Sequence, residues 1–250
     1  MPSRPQHPVV IITGASSGIG AATAHELARR GYAVALAARR ADELQRLAGE
    51  ITAAGGVAIP LPTDLCDLEQ AKQLVQLTEA QLGPIDVLIN NAGMSISHRA
   101  WRPTDEQMQT IFGLNLFAQI QLTRLVAPGM IERKRGHIVN IASVAGYIGT
   151  PAHSLYSASK HAMRGWSSAL RRELMRHKVH VTIISPGYIR TAMTADARGI
   201  PMPGPAVVAR AIAKTLRHPQ REIVVPGIYK ALIWLDRLAP GLVDLALSRV

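Results

Sequence analysis

Tyr156 and Lys160 stand four residues apart in the run YSASK, with Ser143 thirteen residues upstream at the end of an apolar run. Tyrosine ordinarily ionises at about pH 10, so a phenol that exchanges protons near neutrality needs a positive charge to stabilise its anion. Residues i and i+4 of a helix share a face, and Lys160 supplies such a charge there. Tyr156 is therefore a candidate acid and base, and Ser143 a hydroxyl able to steady the oxygen that takes up the proton. Each residue alone also has a plain reading: a packed helix tyrosine, a solvated lysine, a strand-end serine.

A second chemical signal is TGASSGIG, Thr13 to Gly20, directly after the apolar run Val9 to Ile12. Gly14 permits a sharp turn, Gly18 allows a pyrophosphate to approach the backbone, and Gly20 lets a helix pack closely on the strand. The helix N-terminus, including Ile19, then favours negative charge, with Ser16 and Ser17 as added hydroxyl donors. A lone glycine-rich turn serves equally well as a tight strand-to-helix connection. Phosphate cradle and activated phenol together imply reduction, with hydride from a dinucleotide and a proton from the tyrosine.

Positioning these groups falls to alternating elements. Apolar runs at Val9 to Ile12, Ala33 to Ala37, Val57 to Leu61, Val87 to Ile89, His137 to Ile141, Val179 to Ile184 and Glu222 to Val225 predict strands. Amphipathic stretches at Gly18 to Arg30, Asp42 to Ala54, Leu68 to Leu82, Thr104 to Val126, Leu155 to Arg176 and Ala206 to Leu216 predict helices. Such βαβα alternation predicts an α/β fold: a doubly wound, Rossmann-like parallel sheet in three α/β/α layers, forming one domain over residues 1–226. Residues 227–250 read as an apolar helical tail split by Pro240-Gly241. The Pro- and Gly-rich stretch from Gly187 to Pro205 reads as a mobile cover over the ligand side of the sheet.

In order and spacing the chain resembles the short-chain dehydrogenase/reductase family over about Val9 to Val225. The landmarks are TGASSGIG, Asp64 after the third strand, NNAG at Asn90 to Gly93, Asn115 in a helix, Ser143, YSASK, and PGYIRT from Pro186 to Thr191. The resemblance implies that Asp64, with Leu65 beside it, meets the adenine, and that Asn91, Ala92 and Gly93 line the adenine ribose. It implies that Ile189 and Thr191, with Pro186 and Gly187, hold the nicotinamide amide and pyrophosphate. Lys160 would also bind the nicotinamide ribose, and Asn115 would hold a water linking Lys160 to solvent. It further implies a homodimer or homotetramer built through the helices at Thr104 to Val126 and Leu155 to Arg176.

The nucleotide preference follows from charge. Where an acidic side chain would pair with the ribose hydroxyls, the second strand ends at Ala38, followed by Arg39 and Arg40. No carboxylate repels a 2′-phosphate there, and a guanidinium suits its oxygens. NADP(H) is favoured over NAD(H), with Arg40 a secondary contact and Asp42 a helix cap.

Met94, Tyr147, Tyr188 and Met193, with Ser143, predict a mostly apolar substrate wall suited to a lipophilic carbonyl or alcohol. A 3-oxoacyl thioester reductase is the alternative, and a non-catalytic nucleotide sensor or scaffold the reading from another class. The formal charge of +11 is spread in short basic groups without interleaved aromatics, which argues against nucleic acid. Nothing in the chain suggests a metal centre: paired cysteines and HExxH are absent from the sequence. The lone Cys66 reads as a small buried hydrophobe in a reducing, cytoplasmic setting. No run reads as membrane-spanning. The tail is expected to pack on its own subunit or a partner rather than on a membrane surface.

Overall fold

The computed structural model describes residues 7–195 and 202–248. Seven strands form one parallel sheet: β1 (Val9–Thr13), β2 (Ala33–Ala38), β3 (Val57–Pro62), β4 (Ile85–Asn90), β5 (Gly136–Ile141), β6 (Val179–Pro186) and β7 (Glu222–Val225). Their spatial order is β3-β2-β1-β4-β5-β6-β7. The order reverses between β1 and β4, so a crevice opens beyond the carboxyl ends of those strands.

Both faces of the sheet are covered, which is why its strands read as nearly continuous apolar runs. In β1, Val10 and Ile12 face one core with Ala24, Leu27, Leu44, Val208 and Ile212. Val9 and Ile11 face the other with Leu74, Leu122, Met130 and Leu174. The first layer comprises α1 (Gly18–Ala28), α2 (Ala41–Ala53) and α7 (Ala206–Arg217), and the second α3 (Leu68–Leu82), α5 (Ala118–Glu132) and α6 (Ser154–Leu174).

Three local departures from the sequence reading have physical causes. The helix expected over Thr104 to Val126 is three pieces: α4 (Asp105–Phe112), a π-helical turn (Gly113–Phe117) that carries Asn115, and α5. Helix α5 also runs past Pro128 to Glu132; the proline lies on the exposed face, where water can serve the carbonyl that its missing N–H leaves free. Asp42 sits in the first turn of α2 rather than capping it, because the N-cap position falls on Arg40.

The tail folds as α8 (Tyr229–Leu238) and α9 (Pro240–Leu247). Ile233 and Val243 join Val144, Ile148 and Val224 in a third small cluster, while Ile228, Trp234, Leu238 and Leu242 face outward. Of the stretch expected as a cover, residues 196–201 lie outside the described residues. Its near flank forms a 3-10 turn at Ala192–Thr194, and Arg190 N–H donates to Pro203 O at 3.0 Å. No helix among the described residues is long and apolar enough to cross a membrane.

Candidate active site

The crevice is a cleft of about 710 Å3. At one end lies the cradle. Gly14 and Gly18 adopt φ of +64° and +58°, conformations that favour glycine. A Cβ on Gly20 would stand 2.2 Å from Gly14 O, so only glycine lets α1 approach the turn. Ser17 is the N-cap of α1 and caps it with no side-chain bond, and no acidic residue occupies the first turn. The helix therefore points amides and positive dipole at the cleft, as a pyrophosphate requires. Arg40 crosses from the end of β2 to donate to both Ser16 Oγ and Ser17 Oγ at 2.9 Å.

The cleft is lined by Gly14, Ser16, Ser17, Gly18, Ile19, Arg39, Arg40, Asp64 and Leu65, and also by Asn91, Ala92, Gly93, Pro186, Gly187, Ile189 and Thr191. Gly20 lies behind this lining, in the helix–strand contact. Cys66 is exposed at the cleft edge rather than buried: the turn between β3 and α3 carries it outward, while Leu65 turns into the core.

At the other end Ser143, Tyr156 and Lys160 converge on the same cleft. Lys160 is 3 % exposed and donates to Ile141 O at 2.9 Å. Its Nζ lies 5.7 Å from the Tyr156 ring centroid. Burial lowers the Lys160 ammonium from its ordinary value to about 8. Burial also raises the Tyr156 phenol, and the neighbouring Ser143 hydroxyl works in the opposite direction. The proximity of Lys160 thus does not by itself bring the phenol down. With protein alone around it, Tyr156 stays protonated at neutral pH, the state a proton donor needs.

Asn115 is wholly buried and bonded to protein. It accepts from Met94 N–H at 2.8 Å and donates to Met94 O at 2.9 Å and to Ser159 Oγ at 3.0 Å. It fixes the Gly93–Met94 backbone against α6. Of the expected substrate residues, Met94 and Met193 line the cleft with Ser143, and Tyr147 and Tyr188 do not. Tyr147 lies under the Arg164 guanidinium. Tyr188 is partly exposed, its N–H donating to Tyr229 Oη.

Sequence reasoning missed several contributors. Thr13 Oγ accepts from Asn91 N–H at 2.9 Å and Ala92 N–H at 3.0 Å, joining the ends of β1 and β4. Gln109, Thr110 and Leu114 also line the cleft. His98 and His153 tie the loop that follows β4 to the start of α6: His98 Nε2 lies 3.0 Å from Ser154 Oγ, and His153 Nδ1 lies 2.9 Å from Ser95 Oγ. Partners so far apart in sequence leave no spacing signal.

Residues 8–199 match the family described as short chain dehydrogenase. The chain belongs to the short-chain dehydrogenase/reductase family. This dehydrogenase is 38% identical to the ketoacyl reductase HetN of Nostoc sp., over 94% of its own length and 86% of the relative's. Among solved structures, a short-chain dehydrogenase/reductase from Burkholderia phymatum in complex with NAD superposes with a TM-score of 0.87 at 25% identity, covering 95% of each chain. A variant of the actinorhodin polyketide ketoreductase with NADPH gives 0.82 at 29% identity, covering 88% of this chain and 96% of that one. The protein is accordingly an NAD(P)-dependent oxidoreductase of CH–OH and C=O groups.

Proposed function

We propose that the protein is an NADP(H)-dependent reductase of a lipophilic ketone or aldehyde, reversible as an alcohol dehydrogenase, with Tyr156 as its general acid and base. The observation that carries this reading is the convergence of Ser143, Tyr156 and Lys160 on the cleft that the glycine cradle opens into. A bound nicotinamide supplies or accepts the hydride. Ser143 Oγ orients the substrate oxygen, and Tyr156 Oη delivers a proton to it as the carbonyl is reduced. The Lys160 ammonium supports the phenolate left behind and binds the nicotinamide ribose hydroxyls. Asn115 keeps the facing wall in place; the relay water that the family resemblance implies belongs to the same proposal.

Support for NADP(H) is the cationic edge of the cradle, where Arg39 and Arg40 line the cleft beside Ala38 and no carboxylate ends β2. The apolar Met94 and Met193 support a lipophilic substrate. Similarity to a ketoacyl reductase favours a 3-oxoacyl thioester as the second reading. For a homo-oligomer through α4–α5 and α6, the support is outward-facing Phe117 and Met175 on and beside those helices. A reducing, cytoplasmic compartment suits the unpaired Cys66.

The test is NADPH and NADH oxidation with ketones, quinones, aldehydes and acyl thioesters, with Tyr156→Phe as control. Removing one general acid should cost about 10²–10⁴-fold in turnover and leave NADPH affinity within about twofold, since the phenol is asked to act on the substrate oxygen. Full activity of Tyr156→Phe would overturn the assignment, and cofactor binding with no turnover of any carbonyl would revive a non-catalytic sensor.

A further inference from the structure

Behind Ser143 lies a charged cluster that the chemistry above does not use. The chain leaves β5 at Ser143 and makes one 3-10 turn, Val144–Gly146, closed by Gly146 N–H donating to Ser143 O at 2.9 Å. Ser143 Oγ donates to Pro186 O at 3.4 Å and accepts from Ala145 N–H at a shorter 3.1 Å, so its orientation depends in part on that turn. One helical turn beyond Lys160, Arg164 spans three elements. Its Nη1 donates to Gly146 O at 2.8 Å, its Nε to Glu222 Oε1 at 2.9 Å, and its Nη2 to Glu222 Oε2 at 3.3 Å. Its guanidinium lies 3.3 Å from the Tyr147 ring centroid, and Ser185 Oγ donates to Glu222 Oε1 at 2.9 Å.

The cluster is well enclosed, with Arg164 and Glu222 side chains 21% and 16% exposed. Burial opposes the Glu222 charge, yet bonds from Arg164, Tyr147 and Ser185 hold its carboxyl below the ordinary range. Burial and the Glu222 contact push the Tyr147 phenol up to about 12, so its hydroxyl remains a donor. Packing adds a second constraint: a Cβ on Gly146 would stand 2.8 Å from Lys160 O and 2.9 Å from Arg164 Cδ. The turn is thus pressed against the helix that carries Tyr156 and Lys160.

We infer that Arg164, anchored by Glu222 and Tyr147, is a positioning residue: it locks the Ser143 turn to α6, and so sets the placement of the Ser143 hydroxyl relative to Tyr156. Positional precision is what reaction geometry rewards, and slack of about 1 Å in a supporting residue costs on the order of 10²-fold. A bidentate guanidinium gives that precision because its donors form a rigid fork. The reading rests on the proposed function.

The test compares Arg164→Met, Arg164→Lys and Tyr147→Phe with the unaltered protein, using NADPH and a reactive lipophilic probe, 9,10-phenanthrenequinone. Arg164→Met should lower kcat about tenfold or more with NADPH affinity unchanged, at a temperature where every variant is folded. Arg164→Lys should recover thermal stability without recovering kcat, since one ammonium cannot replace three directed bonds. The alkaline limb of the kcat/KM profile should move to higher pH in Arg164→Met, because Ser143 is the contact that lowers the Tyr156 phenol. If Arg164→Met does not fold, Tyr147→Phe carries the test and should show the same kcat loss and pH shift in milder form. Unchanged kcat and pH limb in the folded variants, or kcat that returns in step with stability in Arg164→Lys, would overturn the inference. Tyr156→Phe separates the two readings: retained turnover there sinks the proposed acid, whereas an inactive Tyr156→Phe beside a normal Arg164→Met sinks only the positioning role.

Discussion

The two flanks of the cleft are held by different chemistry. On the β1–β4 flank the fixing groups are neutral: Thr13 binds Asn91 and Ala92, Gln119 donates to Ala92 O, and Asn115 brackets Met94 from both sides. On the β5–β6 flank they are ionisable: Lys160 under Ile141, Tyr156, and the Arg164–Glu222 pair behind Ser143. Neutral amides hold their geometry at any pH. Charged groups hold theirs more tightly but only while ionised. The division suits the proposed chemistry, in which one flank stays fixed while the other moves a proton.

The largest expected effect lies on the neutral flank. Thr13→Val keeps the shape of a fully buried side chain but removes an acceptor from two backbone N–H groups and a donor to Ile89 O. Asn91 N–H keeps Ile89 O at 3.1 Å, so Ala92 N–H is the group left without its partner. An unsatisfied buried group costs about 1–3 kcal/mol, and urea unfolding should show a loss of that size with no dependence on pH. Thr13→Ser should restore most of it. A loss that varied with pH would mean the flank is not neutral in its working.

The charged flank should answer to pH in two windows. The Lys160 ammonium is depressed from its ordinary 10.5 to about 8. Stability tied to this group is therefore full above about 10.5 and is lost as pH falls through about 8. The cofactor-free protein should gain stability across that window. NADPH affinity should decline over the same window, because the ammonium proposed to bind ribose hydroxyls is being lost. Lys160→Met should flatten both trends, and parallel trends in the unaltered protein would contradict the assignment. For Glu222 the sign is the same and only the window differs: its lowered carboxyl gives stability that is present above the ordinary carboxylate range and lost as pH falls through its folded value. Thermal unfolding of Glu222→Gln should converge on that of the unaltered protein in acid, and a gap that persisted there would show that the charge is not what matters.

How much of this was legible in the sequence differs between the same two flanks. Strands, cradle and the helix that carries Tyr156 and Lys160 were readable because each is a local pattern: an apolar run, glycines at fixed spacing, an i, i+4 pair. Gly14, Gly18 and Gly20 took the conformations and packing their spacing requires, and every expected strand was found within a few residues of its expected ends. What could not be read was pairing across long separations. Thr13 with Asn91 and Ala92, Arg164 with Glu222, and His98 with Ser154 meet only because the sheet brings β1 to β4, α6 to β7, and the loop that follows β4 to the start of α6. Tyr147 shows the cost: an aromatic near Ser143 suggested a substrate wall, but the guanidinium that covers its ring comes from a residue whose sequence neighbourhood gave no hint of it. The π-helical turn around Asn115 was equally hidden, since a helical period shows apolar spacing and not which carbonyl each N–H reaches.

The smallest expected effect concerns the cradle, where cationic and neutral chemistry meet. Arg40 donates to the hydroxyls of Ser16 and Ser17 from an exposed position, so its removal should barely change stability, exposed polar contacts being worth little. A 2′-phosphate beside Ala38 would instead meet Arg39 and Arg40 directly. Charge-assisted bonds of this kind contribute about 1.5–3 kcal/mol when partly shielded, and solvent exposure here places the effect at the low end, roughly tenfold. Arg40→Ala should therefore weaken NADPH by up to about tenfold and leave NADH within about twofold, with Arg39→Ala acting in the same direction. Because screening by salt shortens the reach of exposed charges, the NADPH advantage should shrink as ionic strength rises, while Thr13→Val remains indifferent to salt. Equal weakening of NADPH and NADH would show that Arg40 serves the cradle's shape through Ser16 and Ser17, and would remove the support that Arg40 gives to the proposed preference for NADP(H).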